Sequence, residues 1–399
     1  MTSGKANKNS ENLNKSASQT PVSAKAKAST KTPAGVKKAA KKATNAAPFD
    51  WTKASWLDPK YNWKPAPVPD LPPRVLIDFA LKCNLRCNMC PVWGSDDEAG
   101  IEAMKGVMSL ENARRLIDEI AEAKPLVHPC LYGEPLLAPH LKDHIRQIKA
   151  GGMTFALNSN GLSLTEKMAA LLVEEGVDSV MISLDATTPD TLKKVRGIRN
   201  LERIENAVFR MLKARGDQEK PRIGVSFTIQ DTNRHELDDF IARWVGVVDV
   251  VRTGRIFEDG SFQGLTAPKE RTACPVIYKT LPVHNEGLVT VCCLDGMCTT
   301  NMGNVFETSV REVWHGEEFT KMRYLHETAQ WDAIPFCGSC NGWAQYEFKE
   351  EIRDGLLIRH SPEFSYYNKI ARLNNWGENL LGGHAPPSEE ATKKMAAQV

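Results

Sequence analysis

The 399-residue chain has no run of about 18 consecutive apolar residues, which excludes a membrane-spanning helix. Its lysine-rich start has no apolar h-region, so no secretory signal is expected. Without secretion, ten cysteines point to a reducing, cytoplasmic setting and to metal binding rather than disulfides. Residues 1–48 have no arginine and no aromatic side chain, and one acid, Glu11, stands against ten lysines. Such a segment has almost nothing to bury and reads as a disordered basic tail. An anchor to nucleic acid or a membrane surface through Lys25–Lys42 is the competing reading, and the missing arginines and aromatics weigh against it. The tail carries +9, while the remaining residues, 41 basic and 48 acidic, carry −7.

What the chain does have is Cys83-Asn-Leu-Arg-Cys87-Asn-Met-Cys90 directly after an apolar run, Val75–Leu81, that reads as a strand. Three thiolates on a four-iron cluster leave one iron without a protein ligand, where a full set is four. An open metal position marks a reactive site, as it does for zinc. A zinc knuckle is the alternative, but C-x2-C pairs with a nearby fourth ligand are what zinc prefers, and no such ligand lies close by.

The C-x3-C-x2-C spacing after a first strand resembles the radical S-adenosylmethionine (radical SAM) enzymes. The resemblance implies that the open iron binds SAM and that one electron cleaves it to methionine and a 5′-deoxyadenosyl radical. The residue before the third cysteine, usually aromatic and against adenine, is here Met89, whose soft thioether makes similar contacts.

From residue 74 strand-like and helix-like segments alternate. Strands are expected at 74–81, 126–132, 153–157, 178–184, 222–229 and 248–252. Helices are expected at 109–123, 138–150, 164–175, 189–195, 201–215 and 235–245. Ser109 reads as an N-cap, and Gly151 and Gly176 as stops. Six βα units argue for a parallel sheet with helices outside, and a closed barrel of this kind wants eight. Six resembles the open, partial (β/α)6 TIM-like barrel of the family. The same resemblance implies further SAM contacts in chain order. Gly133, Glu134 and Pro135, in the Tyr132-Gly-Glu-Pro turn, would bind the SAM amino group. Asn160 of Asn158-Ser-Asn-Gly161 would lie near SAM. Ser183 and Asp185 would lie at the ribose or carboxylate, and Arg196 would pair with the carboxylate. Cys130 reads as a buried structural thiol.

Past residue 256 the rhythm breaks and cysteines return. Cys274, Cys292 and Cys337-Gly-Ser-Cys340 supply four thiolates, a complete set for a second cluster or, on ligand count alone, for zinc. This stretch, with Gly303-Asn304 and Trp314, is similar to the SPASM/twitch auxiliary-cluster domain. No cysteine follows Cys340, so the resemblance implies one auxiliary [4Fe-4S] cluster beside the SAM-binding one. Cys293 and Cys298 are spare, and Cys298, in a Gly/Thr-rich loop, is the better candidate for a hydrogen-atom donor. Cofactors are therefore two [4Fe-4S] clusters and SAM.

The domain reading is a tail (1–48), an aromatic, proline-rich arm with Phe49, Trp51, Trp56, Tyr61 and Trp63 packed on the body (49–73), a radical SAM core (74–255), an auxiliary-cluster domain (256–376) and a polar tail (377–399). Residues 351–376 are expected to be closing helices and 383–399 to be mobile. The expected activity is oxidation of a small polar substrate such as a sugar or aminocyclitol. A radical epimerase and a peptide-modifying maturase are the alternatives within the class. A zinc-binding nucleic-acid adaptor is the non-enzymatic one. Partners are a small molecule or peptide and an electron donor such as flavodoxin or ferredoxin.

Overall fold

The computed structural model of the chain describes residues 50–334, 336–346, 348–375 and 388–396. The segment read as a basic tail, 1–48, lies outside them, as does Phe49. Six parallel strands appear where the apolar runs place them: β1 (Arg74–Ile77), β2 (Leu126–His128), β3 (Thr154–Ser159), β4 (Ser179–Ser183), β5 (Arg222–Ile229) and β6 (Val250–Arg255). Their interiors are covered on both faces, which is why they read as continuous apolar runs rather than alternating ones. Register is fixed by pairs such as Val75 with Val127, Asn158 with Met181, and Ser183 with Ser226.

The helices between them are α1 (Leu110–Ile120), α2 (Leu141–Ala150), α3 (Glu166–Glu174), α4 (Pro189–Arg196), α5 (Leu201–Arg215) and α6 (Leu237–Trp244). Ser109 does cap α1, accepting from the Asn112 amide at 3.1 Å. The face of α1 that meets the sheet is Ala113, Leu116, Ile117 and Ile120, spaced at three and four residues as a helical stripe requires. Burying each of the larger three contributes about 1.5–3 kcal/mol. α4 starts on a Thr188 cap with Pro189 at its first turn and stops at Gly197 in the left-handed region.

The sheet does not end with six strands. A seventh parallel strand, β7 (Thr280–Val283), pairs with the free edge of β1, and two short antiparallel strands, Leu288–Val289 and Gly303–Asn304, continue beyond it. At the opposite edge the chain departs from the sequence reading. Residues 351–376 are not closing helices but mainly an antiparallel extension, β8 (Lys349–Arg353), β9 (Leu356–His360) and β10 (Phe364–Lys369), with a 3-10 turn at Ile370–Asn375. β10 pairs with β6, Thr253 opposite Ser365. The turn Asp354-Gly355 has positive φ at both residues, the geometry of a tight hairpin that Asp-Gly favours.

Two further differences concern boundaries. The expected mobile tail contains a helix, Glu389–Ala396, capped by the Ser388 hydroxyl and buried at Ala391. The second strand stops at His128 rather than continuing to 132, because the amides of Leu131, Tyr132 and Gly133 turn to a side chain instead of a neighbouring strand. The aromatic residues that precede the first strand pack on a later helix. Rings of Trp56, Tyr61 and Trp63 surround Tyr324 at 5.2, 6.1 and 5.3 Å, on the helix Glu317–Glu327.

Candidate active site

The cysteine loop leaves β1 through a two-residue strand, Ala80–Leu81, which pairs with Gly106–Val107 and closes the loop at its base. Within it the Cys90 amide donates to the Cys87 carbonyl at 3.1 Å, and the Asn88 amide reaches the Val195 carbonyl of α4 at 3.2 Å. The Trp93 amide donates to Cys90 Sγ at 3.3 Å, and its indole N–H donates to the Tyr132 carbonyl at 2.7 Å. All ten cysteines are free thiols. Burial pushes the Cys83 thiol up to about 11, and Cys87 and Cys90 rise for the same reason, opposed by the Arg196 guanidinium. Thiols held neutral by burial ionise when a metal supplies the missing charge.

Behind the loop lies a residue the sequence reading passed over. Asp78, in the middle of an apolar run, is buried, and its carboxylate accepts from the amides of Leu131 (2.8 Å), Tyr132 (3.2 Å) and Gly133 (3.1 Å). An acid inside such a run is the available signal, since a buried carboxylate must find donors. Burial raises its carboxyl to about 6, against the pull of those three N–H groups. The turn so held has room only for glycine at 133. A Cβ there would run into the Ala80 carbonyl oxygen and come within 3.2 Å of its carbon.

Glu134 is buried too. Its Oε1 accepts from the Ser159 hydroxyl at 2.7 Å and the Leu136 amide at 3.2 Å, and its Oε2 accepts from the Asn160 amide at 2.8 Å. Pro135 opens the single helical turn that follows. Asn160, at the end of β3, reaches back to the cysteine loop, its amide donating to Asn84 at 2.7 Å and lying 4.0 Å from Cys83 Sγ. Three predicted sites, the Cys83 loop, the Glu134 turn and Asn160, are thus one hydrogen-bonded unit.

Asp185 and Arg196 form a second unit. Arg196 Nε donates to Asp185 Oδ2 at 2.7 Å, and Asp185 Oδ1 accepts from the Thr228 amide at 2.6 Å. Asp185 has no exposed surface. Burial alone lowers the guanidinium, but Asp185 and then Cys87 hold it above its ordinary value, so the cation feels the cysteine loop electrostatically. Ser183, ending β4, lies 3.3 Å from the Ser226 hydroxyl, and Met89 Sδ accepts from Gln230 at 3.5 Å.

The later cysteines gather on a different wall. Cys274, Cys292, Cys337 and Cys340 line one cavity of about 390 Å³. Amides of Leu294 and Gly342 donate to Cys292 and Cys340 Sγ at 3.4 and 3.3 Å, and Arg271 bonds the Cys337 carbonyl at 2.7 Å. Cys274 and Cys337 are pushed up to about 12 by burial. Cys293 also lines this cavity and is exposed. Leu76, Cys130, Leu131 and Asn158, from or just after the first three strands, line the same cavity, which places it against the strand ends of the core. Cys130 is therefore a cavity-wall residue beyond the end of its strand. Tyr132 spans the two thiol sets: its carbonyl takes the Trp93 indole, and its hydroxyl donates to the Cys293 carbonyl at 2.6 Å. Cys298 stands apart, its Sγ 3.5 Å from His284 Nε2.

Three thiols on one loop, four more around one cavity, and amide donors to sulfur in both places form a donor set that fits two polynuclear sulfur-ligated groups. Among the described residues, no three His, Cys, Asp or Glu side chains gather closely enough for a single metal ion. The fold is an α/β one with a mostly parallel sheet, and its cysteines are of the kind that carry iron–sulfur clusters. The Radical SAM superfamily model matches residues 77–242, and the iron–sulfur cluster-binding SPASM domain matches residues 274–341. The chain belongs to the radical SAM superfamily and carries a C-terminal SPASM domain, and these two domains imply iron–sulfur clusters and SAM.

Among curated proteins it is similar to the tungsten-containing aldehyde ferredoxin oxidoreductase cofactor-modifying protein of Pyrococcus furiosus, 25% identical, with 66% of this chain and 86% of that protein covered. It is also similar to the PqqA peptide cyclase of Ruegeria pomeroyi, 26% identical, over 44% of this chain and 42% of that protein. The solved structure of native anSMEcpe with bound AdoMet shares the fold, with a TM-score of 0.50 at 13% identity, covering 63% of this chain and 83% of that one. Among the described residues no helix is long and apolar enough to cross a membrane.

Proposed function

We propose that this radical SAM enzyme abstracts hydrogen from a small polar molecule held in the cysteine-lined cavity and oxidises it. The observation that carries this reading is the cavity, which is lined both by cysteines of the SPASM domain and by Cys130 and Leu131, which lead into the Tyr132–Pro135 turn. Of its volume of about 390 Å³ a part belongs to the group held by Cys274, Cys292, Cys337 and Cys340, and the room that is left suits a small ligand better than an extended peptide.

In this reading Cys83, Cys87 and Cys90 hold the SAM-binding cluster, and Cys274, Cys292, Cys337 and Cys340 hold the auxiliary one. Bound there, the first cluster and SAM supply a 5′-deoxyadenosyl radical. The remaining work belongs to the chain. Asp78 fixes the turn that presents Gly133 and Glu134 to the SAM amino group. Asp185 acts through Arg196, setting the plane of the guanidinium that meets the SAM carboxylate. Asn160 and Ser183 would complete the cradle from the ends of β3 and β4, and Met89 would contact the adenine. A flavodoxin- or ferredoxin-type donor would deliver electrons in a cytoplasmic setting.

The test uses full-length protein reconstituted without air, reduced, and mixed with SAM. Wild type and Cys337→Ala should both release 5′-deoxyadenosine, and Cys83→Ala should release none. Unchanged release from Cys83→Ala would refute the assignment.

A second reading has its own observation. Cys298, beside His284, does not line the substrate cavity, whereas the exposed Cys293 does; a spare thiol that reached the substrate radical could return a hydrogen atom, which would make the net reaction an epimerisation. Deuterium from heavy water in the product favours this route, and its absence favours oxidation.

A further inference from the structure

The cysteine-lined cavity contains one carboxylate that none of the steps above uses. Glu363 lies between β9 and β10, outside both matched domains. It is 5% exposed, it lines the cavity, and its Oε2 has no hydrogen-bond partner among the described residues. The backbone around it is held tightly. Its carbonyl accepts from the Arg255 amide at 3.1 Å, the Arg255 side chain donates to the Pro362 carbonyl at 3.0 Å, and Ser361 and Phe364 close the turn with bonds of 2.7 and 2.9 Å. A buried acceptor on so firm a support is either a cost or a waiting contact.

We propose that Glu363 receives a hydrogen bond from a hydroxyl of the substrate, and that the cavity therefore takes a neutral, hydroxylated small molecule. This rests on the reading of the cavity as the substrate site. The choice of a hydroxyl comes from its neighbour. Arg252 lines the same cavity, its guanidinium 5.2 Å from the Phe364 ring, and it is the charge that opposes the effect of burial on Glu363. Burial pushes the Glu363 carboxyl well above its ordinary value, but it keeps an acceptor oxygen in either protonation state; a guanidinium only donates, whereas a hydroxyl both donates and accepts and satisfies the pair together. An ammonium would meet Arg252, Arg74 and Arg271 as like charges, and a fully ionised phosphate or carboxylate would bring no donor to the Glu363 oxygen. An apolar ligand would leave Oε2 unpaired.

Equilibrium dialysis of labelled myo-inositol, glucose and glucosamine against the full-length, cluster-reconstituted protein with SAM tests this. Myo-inositol or glucose should bind wild type, bind Glu363→Gln with a modest loss because the amide oxygen still accepts, and bind Glu363→Leu about ten- to a hundredfold more weakly. Iron content and the melting temperature report whether each variant has folded, and Glu363→Gln keeps the test decisive should Glu363→Leu fail. Equal binding to wild type and Glu363→Leu, no binding of either neutral polyol at millimolar concentration, or tighter binding of glucosamine than glucose overturns the proposal. The radical reading is judged apart from these, by 5′-deoxyadenosine release from wild type without any added polyol.

Discussion

Replacing Gly133 by alanine places a methyl group against the carbonyl of Ala80, whose oxygen and carbon (3.2 Å) both fall within its contact distance. Ordinary carbon contacts need about 3.5–4.0 Å, so the turn or the Ala80–Leu81 strand must shift by about 1 Å. Neither is free to yield. Ala80 is paired with Val107, the Gly133 amide is bonded to Asp78 at 3.1 Å, and the Glu134 amide is bonded to the Lys82 carbonyl at 2.7 Å. Overpacking costs about 1–3 kcal/mol, and a stretched bond to a charged acceptor adds about 1.5–3 kcal/mol. The displaced turn carries the residues proposed to grip SAM, and a misplacement of about 1 Å costs on the order of a hundredfold in rate. Gly133→Ala should therefore bind iron at the auxiliary site as wild type does, bind SAM more weakly, and form 5′-deoxyadenosine about a hundredfold more slowly. Dialysis with labelled SAM and timed product analysis provide the two readings. A variant with wild-type SAM affinity and rate would show that this turn does not hold the substrate.

Three other outcomes follow from the site. Asp78 has a carboxyl raised from 3.8 to about 6 in the folded protein, so its contribution to stability is present below about pH 4 and is lost as pH rises through 6, by about 3 kcal/mol; denaturant unfolding across that range should show the slope, and Asp78→Asn should flatten it. Asp185→Ala leaves the Arg196 cation buried without its partner, and it should cost about 3–5 kcal/mol in unfolding and weaken SAM binding, whereas Asp185→Asn should recover part of the geometry. If Cys298 returns a hydrogen atom, Cys298→Ala should abolish deuterium uptake from heavy water while 5′-deoxyadenosine still forms; persistence of the label would exclude that thiol.

The six strands were legible because a parallel strand covered on both faces is written as an unbroken apolar run, as Val75–Ile77 and Val180–Ile182 are. Cys83, Cys87 and Cys90 were legible because their ligand spacing is local. What the sequence hid depends on contacts between distant positions. Asp78 meets its partners 53–55 residues later, and Tyr132 reaches Cys293 across 161 residues. β8 to β10 were mistaken for helices although Asp354-Gly355 sits between two runs of strand length, because exposed Glu and Lys positions weaken the strand signal there. Glu363 looked like one more acid in a turn, and only burial against the cavity marks it.

The central claim is that two separate sets of thiols each hold a four-iron cluster. Iron and acid-labile sulfide counted per chain, on protein purified without air, test it most directly. The account predicts about eight irons for wild type and about four for Cys83→Ala, with sulfide in equal amount. Zinc in place of iron, or an iron count that Cys83→Ala leaves unchanged, would contradict it.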